Sequence, residues 1–225
     1  MLGFKSNGVV LDDLYVTWDE IGVTMGELWS WGRNATGQLG DGTRTHRSSP
    51  VQVGSLANWA AVAGGGSHSL ARKTDGTIWA WGGNYNGQLG NGTRTHRSSP
   101  TQVGSLTNWA TVACGQYHSL ARKTDGTLWA FGYNMNGQLG DGTASQKSSP
   151  VQVGSLTNWD AVSGGSQHSI ACKTDGTLWT FGLNISGQLG DGTTVTTRYS
   201  PVQVGSLTNW VGVAGGANHS LAIKL

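Results

Sequence analysis

Four histidines recur at one position of a repeating unit: His68, His118, His168 and His219. Imidazoles related by such a repeat could face a metal near a common axis. Each could instead hydrogen-bond a neighbouring backbone group and fix a turn. Repetition alone accounts for one histidine per unit, so the second reading is preferred. His46 and His96 occur in two units only and are expected at the surface. Asp41, Asp141 and Asp191 stand in Gly-Asp-Gly-Thr, with Asn91 in the remaining copy. That run lacks the spaced oxygen ligands that calcium requires, and interchange of Asp with Asn fits an Asx-type turn. Asp75, Asp125 and Asp175, in Thr-Asp-Gly-Thr, read as hairpin turns. Cys114 and Cys172 occupy different positions of their units and have no metal-type spacing. They read as free thiols, with Cys114 packing as a small apolar residue where other units carry Gly64 and Gly164. No serine sits in a nucleophile-elbow context, and no acid pair breaks the repeat as a glycosidase site would. The Gly-rich run 64–67 is followed by neither Lys-Ser/Thr nor a helix. The expectation is a protein without catalytic residues, cofactor or metal, and not an enzyme.

The elements that carry these residues are short strands. Gln-Leu-Gly runs recur at 37–43, 87–93, 137–143 and 187–193, a step of 50 residues. Pro50, Pro100, Pro150 and Pro201 follow them, and a single residue is inserted in the last loop. Within a unit, 68–73 and 77–82 alternate apolar and polar residues around a Thr-Asp-Gly turn, as paired strands do. A short strand is expected at 100–104, and an Asn-Trp segment leads to the next histidine. Gly numbers 37 and charged residues only 12%, which in many chains signals disorder; 11 Trp need burial and argue for a core. A strand-rich unit repeated at this length predicts an all-β propeller with about four strands per blade. The chain reads as an arm, residues 1–24, followed by a four-repeat propeller, residues 25–225. The cut falls inside a hairpin, so strand 219–224 is expected to pair with 26–32 and close the ring, removing exposed edges; pairing between chains into a larger ring is the alternative.

Leu-Trp-Ala-Trp-Gly, Asn-x-x-Gly-Gln-Leu-Gly-x-Gly-Thr, Ser-Pro-x-Gln-Val and Val-Ala-x-Gly-x-x-His-Ser-Leu-Ala together resemble the repeat of the regulator of chromosome condensation family. The resemblance covers residues 25–225. It implies a propeller, typically of seven blades, against four repeats here. The founding member of that family is a nucleotide-exchange factor for a small GTPase and binds chromatin; other members are ubiquitin ligases, photoreceptors and scaffolds, so the repeat alone does not fix function. The blade insertion that the resemblance associates with exchange factors has no counterpart among these near-copied units, nor does a basic tail.

Function is therefore sought where the units differ. One variable loop set is 33–36, 83–86, 133–136 and 183–186, which carries Arg33, Tyr85, Tyr133, Met135, Leu183 and Ile185. A second is 44–47, 94–97, 144–147 and 194–199, with Arg44, Arg47, Arg94, Arg97, Lys147 and Arg198. A third, 66–67, 116–117, 166–167 and 217–218, contributes Tyr117. Variable loops on a fixed scaffold suit recognition of a protein partner or a surface glycan. The basic set would make a ring of positive charge only if acids do not alternate with it. The regular Trp placements read as core between blades, Trp31 among them. In the arm, Leu14, Tyr15, Trp18 and Ile21 are the expected anchor to a partner, and the arm weakly resembles those of bacteriophage structural proteins, pointing to a capsid or tail role. Net charge +2 without basic runs counts against nucleic acid, no apolar stretch is of membrane-spanning length, and the first twenty residues lack the apolar core of a classical secretion signal, leaving a virion or cytoplasmic setting. Three functions are carried forward: an interaction propeller, a guanine-nucleotide exchange factor and a carbohydrate-binding module.

Overall fold

A computed structural model describes residues 26–194 and 196–225, together with the backbone of three short strands nearer the N-terminus. Those strands, β1 (Gly3–Lys5), β2 (Gly8–Leu11) and β3 (Leu14–Thr17), form an antiparallel sheet in the order β1-β2-β3. Leu14 and Tyr15 of the expected anchor lie in β3, while Trp18 and Ile21 lie outside the described residues.

The rest is all-β. Three four-stranded antiparallel blades follow one another: β6 (Trp59–Gly64) to β9 (Arg97–Gln102), β10 (Trp109–Cys114) to β13 (Lys147–Gln152), and β14 (Trp159–Gly164) to β17 (Arg198–Gln203). Each is a simple meander. In the first, β7 (His68–Lys73) pairs with β8 (Ile78–Gly82), opposing Ser69 to Trp81 and Ala71 to Trp79. The Thr-Asp-Gly-Thr turn between them forms because the Asp75 carboxylate accepts from the Thr77 amide at 2.9 Å and from its hydroxyl. Gly76 is obligatory there: φ is +76°, and a Cβ would collide with the Thr107 carbonyl of the next blade's approach. The outer strands start earlier than expected, at Arg47, Arg97, Lys147 and Arg198, so these basic residues open strands rather than close loops.

Blade stacks on blade through one repeated device. The ring of Trp81 lies against Gly40, Phe131 against Gly90 and Phe181 against Gly140, each an aromatic from one blade entering a slot of the blade before it. Around Phe131 the slot is made by Leu70, Ile78, Leu89 and Val103, with Trp109 and Ala121 beside it. Each such ring removes roughly 150–250 Å² from water and dominates the energetics of its interface.

The chain does not close on itself. β4 (Trp29–Gly32) pairs with β5 (Arg47–Gln52), and β18 (Trp210–Gly215) with β19 (Ser220–Lys224), as two separate two-stranded sheets. The expected pairing of 26–32 with 219–224 is absent, and Trp31, placed in the core by sequence, is 61% exposed. The reason is geometric: each aromatic-in-slot contact fixes the turn from blade to blade, and the few such steps available leave the two ends apart.

Candidate functional site

The histidines are joints between blades. His68 Nε2 lies 2.9 Å from Ser119 Oγ, His118 from Ser169 and His168 from Ser220, each serine belonging to the following repeat. Each serine donates its hydroxyl proton to a carbonyl, of Gln88, Gln138 or Gln188, at 2.7–2.8 Å. The serine must therefore accept from the imidazole, which fixes the Nε2-protonated neutral tautomer. Nδ1 is left buried and unpartnered, so protonating it would bury an N–H without an acceptor. Burial holds His68 and His168 down at about 4, and burial with the neighbouring His68 and His168 holds His118 at about 3. Gly65, Gly115 and Gly165 are required beside these rings, since a Cβ would strike them. The partner is a hydroxyl rather than the backbone group expected. Among the described residues no cluster of His, Cys, Asp or Glu has the makings of a metal site, and no helix is long and apolar enough to cross a membrane.

The Gln-Leu-Gly loops are organised by an asparagine whose role the sequence reading missed. Asn134 is fully buried. Its Nδ2 donates to Asp141 Oδ1 at 2.9 Å, the Thr143 carbonyl at 2.9 Å and the Ser145 carbonyl at 3.2 Å, and its Oδ1 accepts from the Leu139 amide. Asn34, Asn84 and Asn184 repeat the pattern. The invariant three-residue spacing from Asn to Gly-Gln-Leu-Gly was the available clue. The acids are structural in the same loops. Burial pushes the Asp41 carboxyl up, but bonds from the Thr43 hydroxyl, Arg47, the Thr43 amide and Asn34 outweigh it and bring it to about 2.

This settles the fate of the basic set. Arg47, Lys147 and Arg198 pair with Asp41, Asp141 and Asp191 at 2.7, 3.3 and 2.7 Å. Acids thus neutralise three positions of the supposed positive ring. In the second repeat Asn91 replaces the acid and Arg97 is exposed without an ion pair among the described residues. Arg33, Arg44 and Arg94 are exposed as well. The free positive charge is therefore concentrated in the first two repeats.

Antiparallel meanders place the first-to-second strand turn and the third-to-fourth strand loop of a blade on one face, so the three variable sets emerge together. The Tyr133 amide donates to the Tyr117 carbonyl at 2.9 Å, and the two rings meet edge to face 6.4 Å apart. Asn136 reaches Gln167 of the next repeat at 2.7 Å, and Thr36 reaches the Ser67 carbonyl at 3.0 Å. Leu183 is half-buried and its amide bonds the Gln167 carbonyl at 2.9 Å. On this platform one loop position stands out in every unit. It holds Ala35, Tyr85, Met135 and Ile185, and the last three are 74%, 53% and 67% exposed. Tyr85 is propped by the edge of His96, 4.2 Å away, and Arg44 of the preceding repeat lies near enough to that imidazole to add to the lowering that burial causes. The result is one large apolar side chain exposed on the loop face of each complete blade, with the unpaired arginines confined to the first two repeats.

Within the complete blades the tryptophans offer no comparable platform for sugar. Trp59, Trp109 and Trp159 are buried, each meeting Trp79, Trp129 or Trp179 edge to face at 6.2–6.3 Å. Lys73, Lys123 and Lys173 cover the second ring of each pair at 3.9, 3.9 and 3.6 Å. Both thiols are free, and burial pushes Cys114 up to about 12 and Cys172 to about 11, so neither is a nucleophile at neutral pH.

A family model described as RCC1-like domain matches residues 21–224. Among solved structures the chain is similar to human WBSCR16, at 27% identity and TM-score 0.79 over 89% of this chain and 54% of that one. It is similar in fold to Prp20p of Saccharomyces cerevisiae, described with its binding to Gsp1p and histones, at 23% identity and TM-score 0.78 over 89% and 52%. The chain thus spans about half the length of these structures. A search of the curated proteins finds no match.

Proposed function

We propose that this chain, which belongs to the RCC1-like domain family, works as a non-enzymatic interaction module whose loop face docks a protein partner. The observation that carries the reading is the row Tyr85, Met135 and Ile185, exposed at one equivalent position of successive blades. Large apolar side chains repeated on a rigid support make the buried centre of an interface, and tyrosine and arginine are the residues enriched there. Arg33, Arg44, Arg94 and Arg97 would then favour a partner with acidic groups opposite the first two repeats. The arm, residues 1–24, is assigned to docking alongside this face. Capsid or tail proteins remain one class of such partner, argued from the arm alone. The protein partners named for Prp20p make the module reading natural, while the likeness to it is one of fold.

The test compares the wild-type chain with the Tyr85→Ala/Met135→Ala/Ile185→Ala variant in capture and cross-linking from the source cells. Loss of the same captured protein at unchanged melting temperature supports the reading. Capture that the triple variant leaves intact, but that substitution of the opposite-face residues Thr74 and Thr124 abolishes, overturns it. Acceleration of nucleotide release from a small GTPase would move the assignment to the exchange factor, and retention on a glycan array to the carbohydrate module.

A further inference from the structure

The two half-blades are complementary parts of one blade. β18 and β19 supply its first and second strands; β4 and β5 supply its third and fourth. Several contacts made within and between the complete blades have unfilled counterparts at the ends. Trp81, Phe131 and Phe181 occupy slots beside Gly40, Gly90 and Gly140, but Gly190 meets only Val204. In its place is an open cavity of about 370 Å³ lined by Ile170, Leu178, Leu189, Val204, Trp210 and Leu221. The corresponding aromatic, Trp31, projects into solvent from the other end. Gly42, Gly92 and Gly142 donate to carbonyls of the next repeat's outer strand, whereas Gly192 makes no such bond among the described residues. Lys73 lies between Trp59 and Trp79; Lys224 stands opposite Trp210, with Trp29 at the far end of the chain. Leu221, equivalent to the fully buried Leu70 and Leu120, is 63% exposed.

We propose that a second copy of this chain fills this end: β4 of one copy pairs with β19 of the other, and Trp31 enters the cavity beside Gly190. The occupant is specified three times over by the molecule itself, since the complete blades show what covers each equivalent surface. In the register of β7 with β8, Ser220 opposes Trp31 and Ala222 opposes Trp29. The same register sets Lys224 against Glu27, where the complete blades have Thr77, Thr127 or Thr177. That charge pair exists only at the junction between ends. A second copy is favoured over the chain's own end because the blades overlay on about half of a larger propeller at TM-score 0.79. The blade-to-blade turn is that of a ring longer than four blades, so a second copy related by a twofold axis can cover the open half-blades that the chain's own ends leave apart. This inference is independent of the loop-face reading.

Light scattering on the purified 225-residue chain is expected to give twice the chain mass, and Trp31→Ala to return it to monomer. Glu27→Lys and Lys224→Glu each replace attraction by repulsion at both junctions and weaken self-association by roughly tenfold; an equimolar mixture restores it, because each mixed junction joins Lys to Glu. In the Ser30→Cys/Leu221→Cys variant, oxidation is expected to give a dimer on denaturing gels. A monomer at all concentrations, an intrachain cross-link, or a dimer indifferent to Trp31→Ala and to both charge reversals overturns the proposal.

Discussion

Mild acid should unfold this protein, and the buried histidines set the window. His68, His118 and His168 are held neutral at about 4, 3 and 4, against an ordinary value of 6.5. A group whose folded value is depressed in this way binds its proton more readily in the unfolded chain. Its stabilising effect is complete above pH 6.5 and is lost as pH falls towards the folded value. Within that window each imidazole contributes about 1.4 kcal/mol per pH unit, so the three together give a slope of roughly 4 kcal/mol per unit between about pH 6 and 5. Over the fall from pH 6.5 to 5–4.5 that slope removes about 6–8 kcal/mol, enough to reach the midpoint of acid unfolding for a domain in the lower part of the usual range of about 5–15 kcal/mol. Asp41 and Asp191, at about 2, lose their own stabilising effect only as pH falls below the ordinary carboxylate value, and so do not contribute in this window. The assay is urea unfolding followed by tryptophan fluorescence at half-unit steps from pH 7.5 to 4.5. His118→Gln, which keeps a donor for Ser169, should reduce the slope by about one third. A stability that changes by less than about 1 kcal/mol between pH 6.5 and 5 would refute the assignment of these rings as neutral joints whose Nδ1 has no partner.

The other expectations concern packing and loop architecture. Phe131→Ala empties a filled slot and should cost about 3–5 kcal/mol in urea unfolding, whereas Trp31→Ala in dilute monomer should cost under about 0.5 kcal/mol. Asn134→Ala strands the Leu139 amide and three acceptors, and should cost about 3 kcal/mol while raising hydrogen exchange across 134–145. Cys114 and Cys172 should react with a thiol reagent at pH 8 at least about a hundredfold more slowly in the folded protein than in denaturant.

The strands are legible because their alternation is local: His68–Lys73 has the bounds its alternation predicts, the last copy, expected at 219–224, starts one residue later at Ser220, and the Thr-Asp-Gly-Thr turns announce themselves through Asp75 and its equivalents. Closure was not legible. A period of 50 residues counts blades but says nothing of the angle between them, which depends on how deeply Phe131 or Trp81 seats against a glycine in another repeat. The histidine–serine joints lay in plain view as adjacent residues, yet they bond at an offset of 51 or 52 residues, so the partner of His68 is not the Ser69 beside it but Ser119. Among the candidate loop residues, Arg47, Lys147 and Arg198 failed as free charges because their acids sit six or seven residues earlier in the same loop. Tyr85, Met135 and Ile185 are exposed because the buried Asn of each loop already satisfies the backbone beneath them.

The near-identity of the slots has a kinetic side. Trp81, Phe131 and Phe181 enter surfaces built from the same residue types, so a folding chain meets several wrong seats almost as good as the right one. A blade that docks one place out of order skips 50 residues and traps the skipped unit outside the stack. Trp81 carries some protection, because its Nε1 donates to the Gln38 carbonyl at 2.9 Å, a bond that the phenyl rings of Phe131 and Phe181 do not form. Refolding from denaturant is accordingly expected to be heterogeneous, with a slow fraction that must undock and start again, and with losses to entangled chains that grow with protein concentration.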